Sequence, residues 1–105
     1  MITAKVLKDG CGTCVGFSVE GHALFDRKGK DIVCAAVSIL TINTVNALET
    51  FTDAKFWLDT DNGISLKFIE KPDEKATLLT DAYLLGLNGI EKEYQDYFRL
   101  LIEEV

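Results

Sequence analysis

Alternation of apolar and polar residues near the start of the chain predicts a β-hairpin. Residues 2–8 are typical of a strand, and in residues 15–20 the apolar side chains alternate with Gly16, Ser18 and Glu20. The segment Asp9-Gly10-Cys11-Gly12-Thr13 between them has the composition of a turn. A second hairpin is predicted around Asp61-Asn62-Gly63, a strong turn signal between two short apolar strands.

A long apolar helix is predicted between the two hairpins, from Asp31 or Ile32 to about Thr50. Apolar residues occupy most sides of this segment, despite several β-branched residues that disfavour an isolated helix. A helix with this pattern is expected to be covered on two faces.

The remainder of the chain is predicted to be helical. Pro72 suits the first turn of a helix that continues to Gly86. After Asn88-Gly89 a last helix is expected, with a stripe of apolar and aromatic residues on one side: Ile90, Tyr94, Tyr97, Phe98, Leu101 and Val105.

These elements predict an α+β fold in the order ββα-ββα, with a broken final helix. Hairpins favour antiparallel pairing, so we expect a two-layer sandwich in which helices pack on one face of an antiparallel sheet. With 105 residues, the chain is expected to form a single domain over residues 1–105.

Composition narrows the class of protein. Hydrophobic residues make up 48% and charged residues 27%, as in an ordinary globular protein. The formal net charge of −6 argues against direct binding of nucleic acid and favours a basic peptide as partner. The first residues lack a signal-peptide pattern and no later segment is expected to span a membrane, so a cytoplasmic location is predicted.

His22 and Cys34 are the candidate catalytic residues. His22 is the single histidine of the chain, and Cys34 falls in the predicted first turn of the long helix. A cysteine nucleophile needs a base to take its proton and an electropositive setting to hold the thiolate. An imidazole and the free N–H groups of a helix start supply both, although an ordinary buried thiol remains an alternative for Cys34.

Other residues near this pair have candidate roles. Asp31 is expected to cap the helix or to orient the imidazole, and Ser38 lies one helical turn after Cys34, where its hydroxyl either contacts the thiolate or bonds to a helix carbonyl. Gly21 precedes a short charged loop over residues 24–30, in which Leu24 and Phe25 form an apolar pair. Such a pair suggests contact with a ligand or a partner.

The pair Cys11 and Cys14 matches the C-x-x-C pattern of redox and zinc sites. A redox site needs its first cysteine at a helix start, whereas this pair falls in a predicted turn. Together with His22 and Cys34 the pair offers four potential zinc ligands, but a second compact ligand pair is missing. No metal and no cofactor are therefore predicted.

The segments Gly21-His22-Ala23 and Gly29-Lys30-Asp31-Ile32-Val33-Cys34-Ala35-Ala36-Val37-Ser38 closely resemble the signature of the ribosomal-processing cysteine protease family, called Prp. The similarity in length and element order extends over essentially the whole chain. The resemblance implies that His22 and Cys34 form the catalytic dyad, with Asp31 and Ser38 as supporting residues. In place of the glycine that often follows the Gly-His-Ala triplet, this chain has Leu24.

The resemblance also implies a substrate and an assembly. Members of the family are homodimers in which a flexible loop between the dyad residues covers the site. They remove a short N-terminal extension from ribosomal protein twenty-seven of the large subunit, cutting after an aromatic residue, and need no cofactor. Two alternatives stay open at this point: a non-catalytic ribosome-associated binding module with a structural Cys34, and a zinc-stabilised interaction domain.

Overall fold

The computed structural model describes the backbone of residues 1–21 and 30–105, and the side chains of residues 1–21 and 32–105. Within these residues the chain forms five strands and two helices. They are β1 (Ile2–Lys8), β2 (Cys14–Glu20), α1 (Lys30–Phe51), β3 (Phe56–Asp59), β4 (Ile64–Phe68), α2 (Glu74–Glu93) and β5 (Phe98–Glu104).

The strands form one sheet in the order β3-β4-β2-β1-β5, and both helices pack on the same face of it. Cross-strand pairs such as Val6–Phe17 and Ala4–Val19 place alternate side chains on the helix side, where they are buried. The α+β class and the two-layer arrangement with helices on one face are thus confirmed.

The turn between β1 and β2 is held by the carboxylate of Asp9. Its Oδ1 accepts hydrogen bonds from the N–H groups of Cys11 at 2.9 Å and Thr13 at 3.0 Å. The bond from Thr13 is the main reason that the pKa of Asp9 lies below its usual value. Gly12 has φ +82°, a conformation that residues with a side chain rarely adopt. The predicted first hairpin is therefore confirmed.

The second hairpin, β3 to β4, is also present as predicted. Gly63 in its turn has φ +102°, and a Cβ at this position would overlap the carbonyl oxygen of Val19 on β2. At the other end of the hairpin, the rings of Phe56 and Phe68 pack edge to face with centroids 6.3 Å apart.

The two helices cross in close contact. A Cβ on Gly86 of α2 would lie 2.7 Å from Cδ2 of Leu40 on α1, so a larger residue there would require the Leu40 side chain to move. Three residues earlier on α2, the hydroxyl of Tyr83 shares a hydrogen bond of 2.8 Å with that of Thr41. Gly86 therefore lies inside α2 as a packing residue, and the prediction that it ends the helix is wrong.

The prediction for the C-terminal segment is also wrong. The helix α2 continues to Glu93, and residues 98–104 form a strand, β5, instead of the predicted final helix. β5 pairs with β1 in parallel. Apolar residues at Phe98 and Leu100 fit the two-residue period of a strand as well as a helical stripe. The Leu100 N–H donates to Glu91 Oε2 at 2.7 Å, which satisfies a donor of the edge strand. The order is thus ββαββαβ, and the sheet is mixed rather than fully antiparallel.

Helix α1 also departs from expectation in its hydropathy. Its segment Ile32–Phe51 is long and apolar enough to cross a membrane, with a mean hydropathy of 1.6, although no such segment was expected. The reason is that no charged residue occurs from Ile32 to Leu48. Because Val33, Val37 and Leu48 are buried against the sheet and α2, we interpret α1 as a core helix.

Removing the Tyr83 hydroxyl should change both stability and its pH dependence. Tyr83→Phe leaves the buried Thr41 hydroxyl without its partner, so the free energy of unfolding at neutral pH should fall by about 1 kcal/mol. Burial raises the pKa of Tyr83 from 10.0 to about 12. The contribution of the Tyr83 hydroxyl to the free energy of unfolding is therefore complete below pH 10 and is lost as the pH rises towards 12. In that range the tyrosine of the unfolded chain ionises, whereas the buried one stays protonated.

Urea unfolding at a series of pH values measures this effect. The stability difference between parent and variant should shrink between pH 10 and 12, since the variant lacks the ionising group. Parallel pH profiles for the two proteins would show that the buried hydroxyl does not control the loss of stability above pH 10.

Candidate active site

Gly21 determines how the chain leaves β2 towards the predicted site. It has φ +82°, and a Cβ at this position would overlap the carbonyl oxygen of Met1. Any other residue would therefore have both a strained backbone and a steric clash with the start of β1. The backbone conformation directly before His22 therefore requires glycine.

Several predicted site residues lie outside the described part of the chain. These are His22, Leu24 and Phe25, and for Asp31 the structure describes the helical backbone but not the side chain. The histidine-cysteine pair, the substrate loop and the role of Asp31 therefore stay predictions from the sequence.

Cys34 is the fifth residue of α1 and its side chain is half-buried. The helix begins at Lys30, one or two residues earlier than predicted, so Cys34 lies at the junction of the first and second turns. Helical side chains lean towards the N-terminus, which directs the thiol over the first turn and its unpaired N–H groups. The flanking Val33 and Val37 are buried in the core and anchor this part of the helix.

This setting suits a reactive thiol better than an inert one. A fully buried cysteine packs as a small hydrophobe, whereas Cys34 keeps access to solvent while its helix start supplies a partial positive charge. The same N–H groups can stabilise an oxyanion that forms on an attacked carbonyl.

Ser38 lies one turn after Cys34 on the same side of α1 and is also half-buried. The sequence left open whether its hydroxyl bonds to a helix carbonyl, as those of Thr44 and Thr52 do. Within the described residues the Ser38 hydroxyl makes no such bond. The role of Ser38 towards the thiolate or the substrate stays a prediction.

Cys14 occupies a different environment from the one predicted. It is the first residue of β2 rather than a turn residue, its exposed fraction is 3%, and its thiol donates to the Gly16 carbonyl at 3.5 Å. The pairing of β1 with β2 shifts register at Lys8, which brings Cys14 into the core. Burial raises the pKa of the Cys14 thiol, which disfavours the thiolate that redox chemistry or zinc binding requires.

Cys11 is exposed in the turn, so the two members of the C-x-x-C pair lie in unlike environments. Among residues 1–21 and 32–105, no group of three or more histidine, cysteine or acidic side chains is placed to hold a metal ion. These observations leave Cys34 as the candidate reactive thiol.

A groove that was not foreseen from the sequence continues along the same side of α1. It has a volume of about 160 Å³ and is lined by Ile42, Val45, Asn46, Leu58, Thr60 and Ile64. The four-residue steps from Cys34 to Ser38 to Ile42 were a usable signal, because they place the three residues on one side of the helix. The opposite wall comes from the second hairpin, whose packing the sequence does not reveal.

A half-buried thiol near the start of a helix, in a small α+β domain, meets the requirements of a cysteine nucleophile for solvent access and an electropositive setting. Comparison with protein families agrees with this interpretation. The family model described as cysteine protease Prp matches residues 1–99. The chain belongs to the Prp family of cysteine proteases.

Individual relatives cover nearly the whole chain. The ribosomal processing cysteine protease Prp of Bacillus subtilis is 29% identical over 107 residues, which cover 95% of this chain and 96% of the relative. The crystal structure of SMU.848 from Streptococcus mutans is 34% identical, with a TM-score of 0.88, and the match covers 100% of this chain and 99% of that protein.

A third relative contains a bound peptide. The structure of the essential ribosomal processing protease Prp from S. aureus in complex with a substrate peptide matches with a TM-score of 0.90 and 27% identity. The match covers 98% of this chain and 100% of that protein.

Proposed function

We propose that this cysteine protease removes the short N-terminal extension of ribosomal protein twenty-seven of the large subunit, with Cys34 as nucleophile and His22 as general base. The observation that carries the proposal is the half-buried side chain of Cys34 at the junction of the first two turns of α1. Support for the substrate comes from the relatives, which are named as ribosomal processing proteases, one of them with a bound substrate peptide.

The proposed reaction proceeds through an acyl-enzyme. His22 takes the proton of the Cys34 thiol, and the thiolate attacks the carbonyl carbon of the scissile peptide bond. N–H groups at the start of α1 stabilise the oxyanion of the tetrahedral intermediate. His22 then protonates the leaving amine as the C–N bond breaks, and water hydrolyses the thioester to release the extension and restore the thiol.

The remaining candidates have supporting roles in this proposal. Asp31 orients the imidazole or caps α1, and the Ser38 hydroxyl contacts the thiolate or the substrate. Gly21 positions His22 at the end of β2, while Leu24 and Phe25 contact the extension from the loop. Because its substrate is a newly made ribosomal protein, the enzyme is proposed to act in the cytoplasm.

We also propose that the enzyme is a homodimer that covers the outer face of α1. This face is apolar and unusually exposed, with Ile32 exposed at 61% and Ile39 at 68%. Around Ile39 the helix surface forms a shallow apolar depression together with Ala35, Ala36 and Asn43. A second copy that packs on this face would remove it from water without covering the side of α1 that carries Cys34 and Ser38.

Substitution of the proposed dyad tests the reaction. Cys34→Ala should abolish cleavage of the full-length host ribosomal protein, because no acyl-enzyme can form. His22→Ala should lower turnover by about 10²–10⁴ fold, since the thiol loses its base. Mass analysis of the new N-terminus identifies both the substrate and the bond that is cut.

Cys11→Ala is the matched control, because Cys11 is exposed in a turn and should be dispensable. Cleavage at the parental rate by the Cys34→Ala protein would contradict the assignment of the nucleophile. Failure of the active parent to process the ribosomal protein would contradict the proposed substrate.

A charge on the outer face of α1 tests the dimer. Ile39→Lys should convert a species of about twice 11.6 kDa into one of 11.6 kDa in light scattering, because the lysine would have to be buried in the interface. Circular dichroism should show an unchanged fold, since Ile39 is exposed within the chain.

Ile69→Lys is the matched control, because Ile69 lies directly after β4, away from α1, and is exposed at 52%. It should leave the mass unchanged. A parental protein with the mass of one chain at micromolar concentration would contradict the dimer.

A further inference from the structure

The outer edge of β3 offers unpaired backbone groups. β3 is an edge strand, and the N–H of Ile69 donates to the carbonyl of Lys55 at 2.9 Å. Hydrogen-bonded and non-hydrogen-bonded pairs alternate along an antiparallel ladder, so after Lys55 and Ile69 the next hydrogen-bonded pair is Trp57 and Lys67. Leu58, which follows Trp57, therefore directs its backbone N–H and C=O away from β4. No strand within the described residues pairs with this edge.

On the helix side of this edge lies the groove between α1 and the second hairpin. Leu58 and Ile42 contribute to it and are only partly covered, with exposed fractions of 45% and 46%. Its volume of about 160 Å³ is close to that of an apolar cavity of roughly 150 Å³ that accommodates benzene. One apolar side chain therefore fits.

On the other side of the edge lies an exposed aromatic and acidic surface. Side chains alternate along a strand, so Trp57 and Asp59 face away from the groove, and the Trp57 ring is 70% exposed. Asp61 is next to Asp59 in the same shallow depression. Lys67 also lines it, but no basic side chain in the described part of the chain pairs with either carboxylate. An aromatic face beside two carboxylates suits a lysine or arginine.

The groove lies within reach of Cys34. Cys34, Ser38 and Ile42 are spaced by four residues on one side of α1. Eight residues of helix at 1.5 Å each put Ile42 about 12 Å further along the axis than Cys34. An extended chain covers that distance in about four residues.

We propose that the outer edge of β3 binds an extended segment of the substrate as an added strand, about four residues from the bond cleaved at Cys34. One apolar side chain of the segment occupies the groove beside Leu58, and a neighbouring basic side chain lies over Trp57 beside Asp59 and Asp61. This inference rests on the proposed function, because it assumes that the peptide bond is cleaved at Cys34.

Trp57 reports directly on this site, because it is the single tryptophan of the chain. The probe is a blocked synthetic peptide of about eight residues in which valine and lysine alternate. Titrated into the Cys34→Ala protein, it should change the tryptophan fluorescence in a saturable way. A peptide with glutamate in place of lysine should bind at least about tenfold more weakly.

Leu58→Asp should weaken binding of the valine-lysine peptide at least about tenfold, because it puts a charge at the mouth of the groove. Leu101→Asp, on the opposite edge strand of the same sheet, is the matched control and should bind as the parent does. Two further peptides carry N-methyl groups on alternate residues, one on the odd residues and one on the even residues. Only one set of amides faces β3, so one of these peptides should not bind and the other should bind as the unmethylated peptide does. Equal binding by both methylated peptides, or by Leu58→Asp and the parent, would overturn the added strand.

Cleavage assays separate this inference from the proposed function. In an active enzyme, Leu58→Asp and Trp57→Ala should raise KM for the full-length ribosomal protein while kcat changes little. Parental kcat/KM in both variants would overturn the docking site and leave the proposed function intact. Absence of cleavage by the parent, together with saturable peptide binding at Trp57, would instead count against the proposed function alone.

Discussion

The close crossing of α1 and α2 is the contact on which the site depends. Gly86 allows Leu40 to pack against the backbone of α2, and the Thr41–Tyr83 hydrogen bond lies in the same contact. A larger residue at Gly86 would displace the Leu40 side chain, which packs against the core that holds Val33 and Val37. Cys34 lies between these two valines on α1, so the packing that places this helix also places Cys34.

The long helix α1 combines two environments that are usually separate. One side supplies core residues, and the outer face carries isoleucines that remain exposed within the single chain. Between them lies the strip that holds Cys34, Ser38 and Ile42. This division explains why the helix is apolar nearly all round: each of its sides has a different apolar partner in the proposal, namely the core, the substrate and a second copy of the chain.

Much of the fold could be predicted because it is encoded locally. The Asp61-Asn62-Gly63 turn and the alternation in β2 depend on residues adjacent in sequence, and both hairpins were predicted correctly. The last strand could not be, since a stripe of Phe98, Leu101 and Val105 satisfies a helical period too. The strand forms because β1 has a free edge, which lies more than ninety residues away in sequence.

Cys14 was misplaced for a similar reason, because the register shift at Lys8 depends on pairing between strands. The proposal of Cys34 as nucleophile rests on its place at a helix start and on the family signature around it.

The central claim is that Cys34 carries the acyl group during cleavage, and mass spectrometry of the intact enzyme tests it most directly. The enzyme is mixed with the host ribosomal protein, quenched with acid within the first turnover and digested. The account predicts a transient mass increase equal to the mass of the released N-terminal extension minus one water, located on the peptide that contains Cys34 and absent in His22→Ala at the same time point. A burst of released product with unmodified Cys34, or with the adduct on another residue, would contradict it.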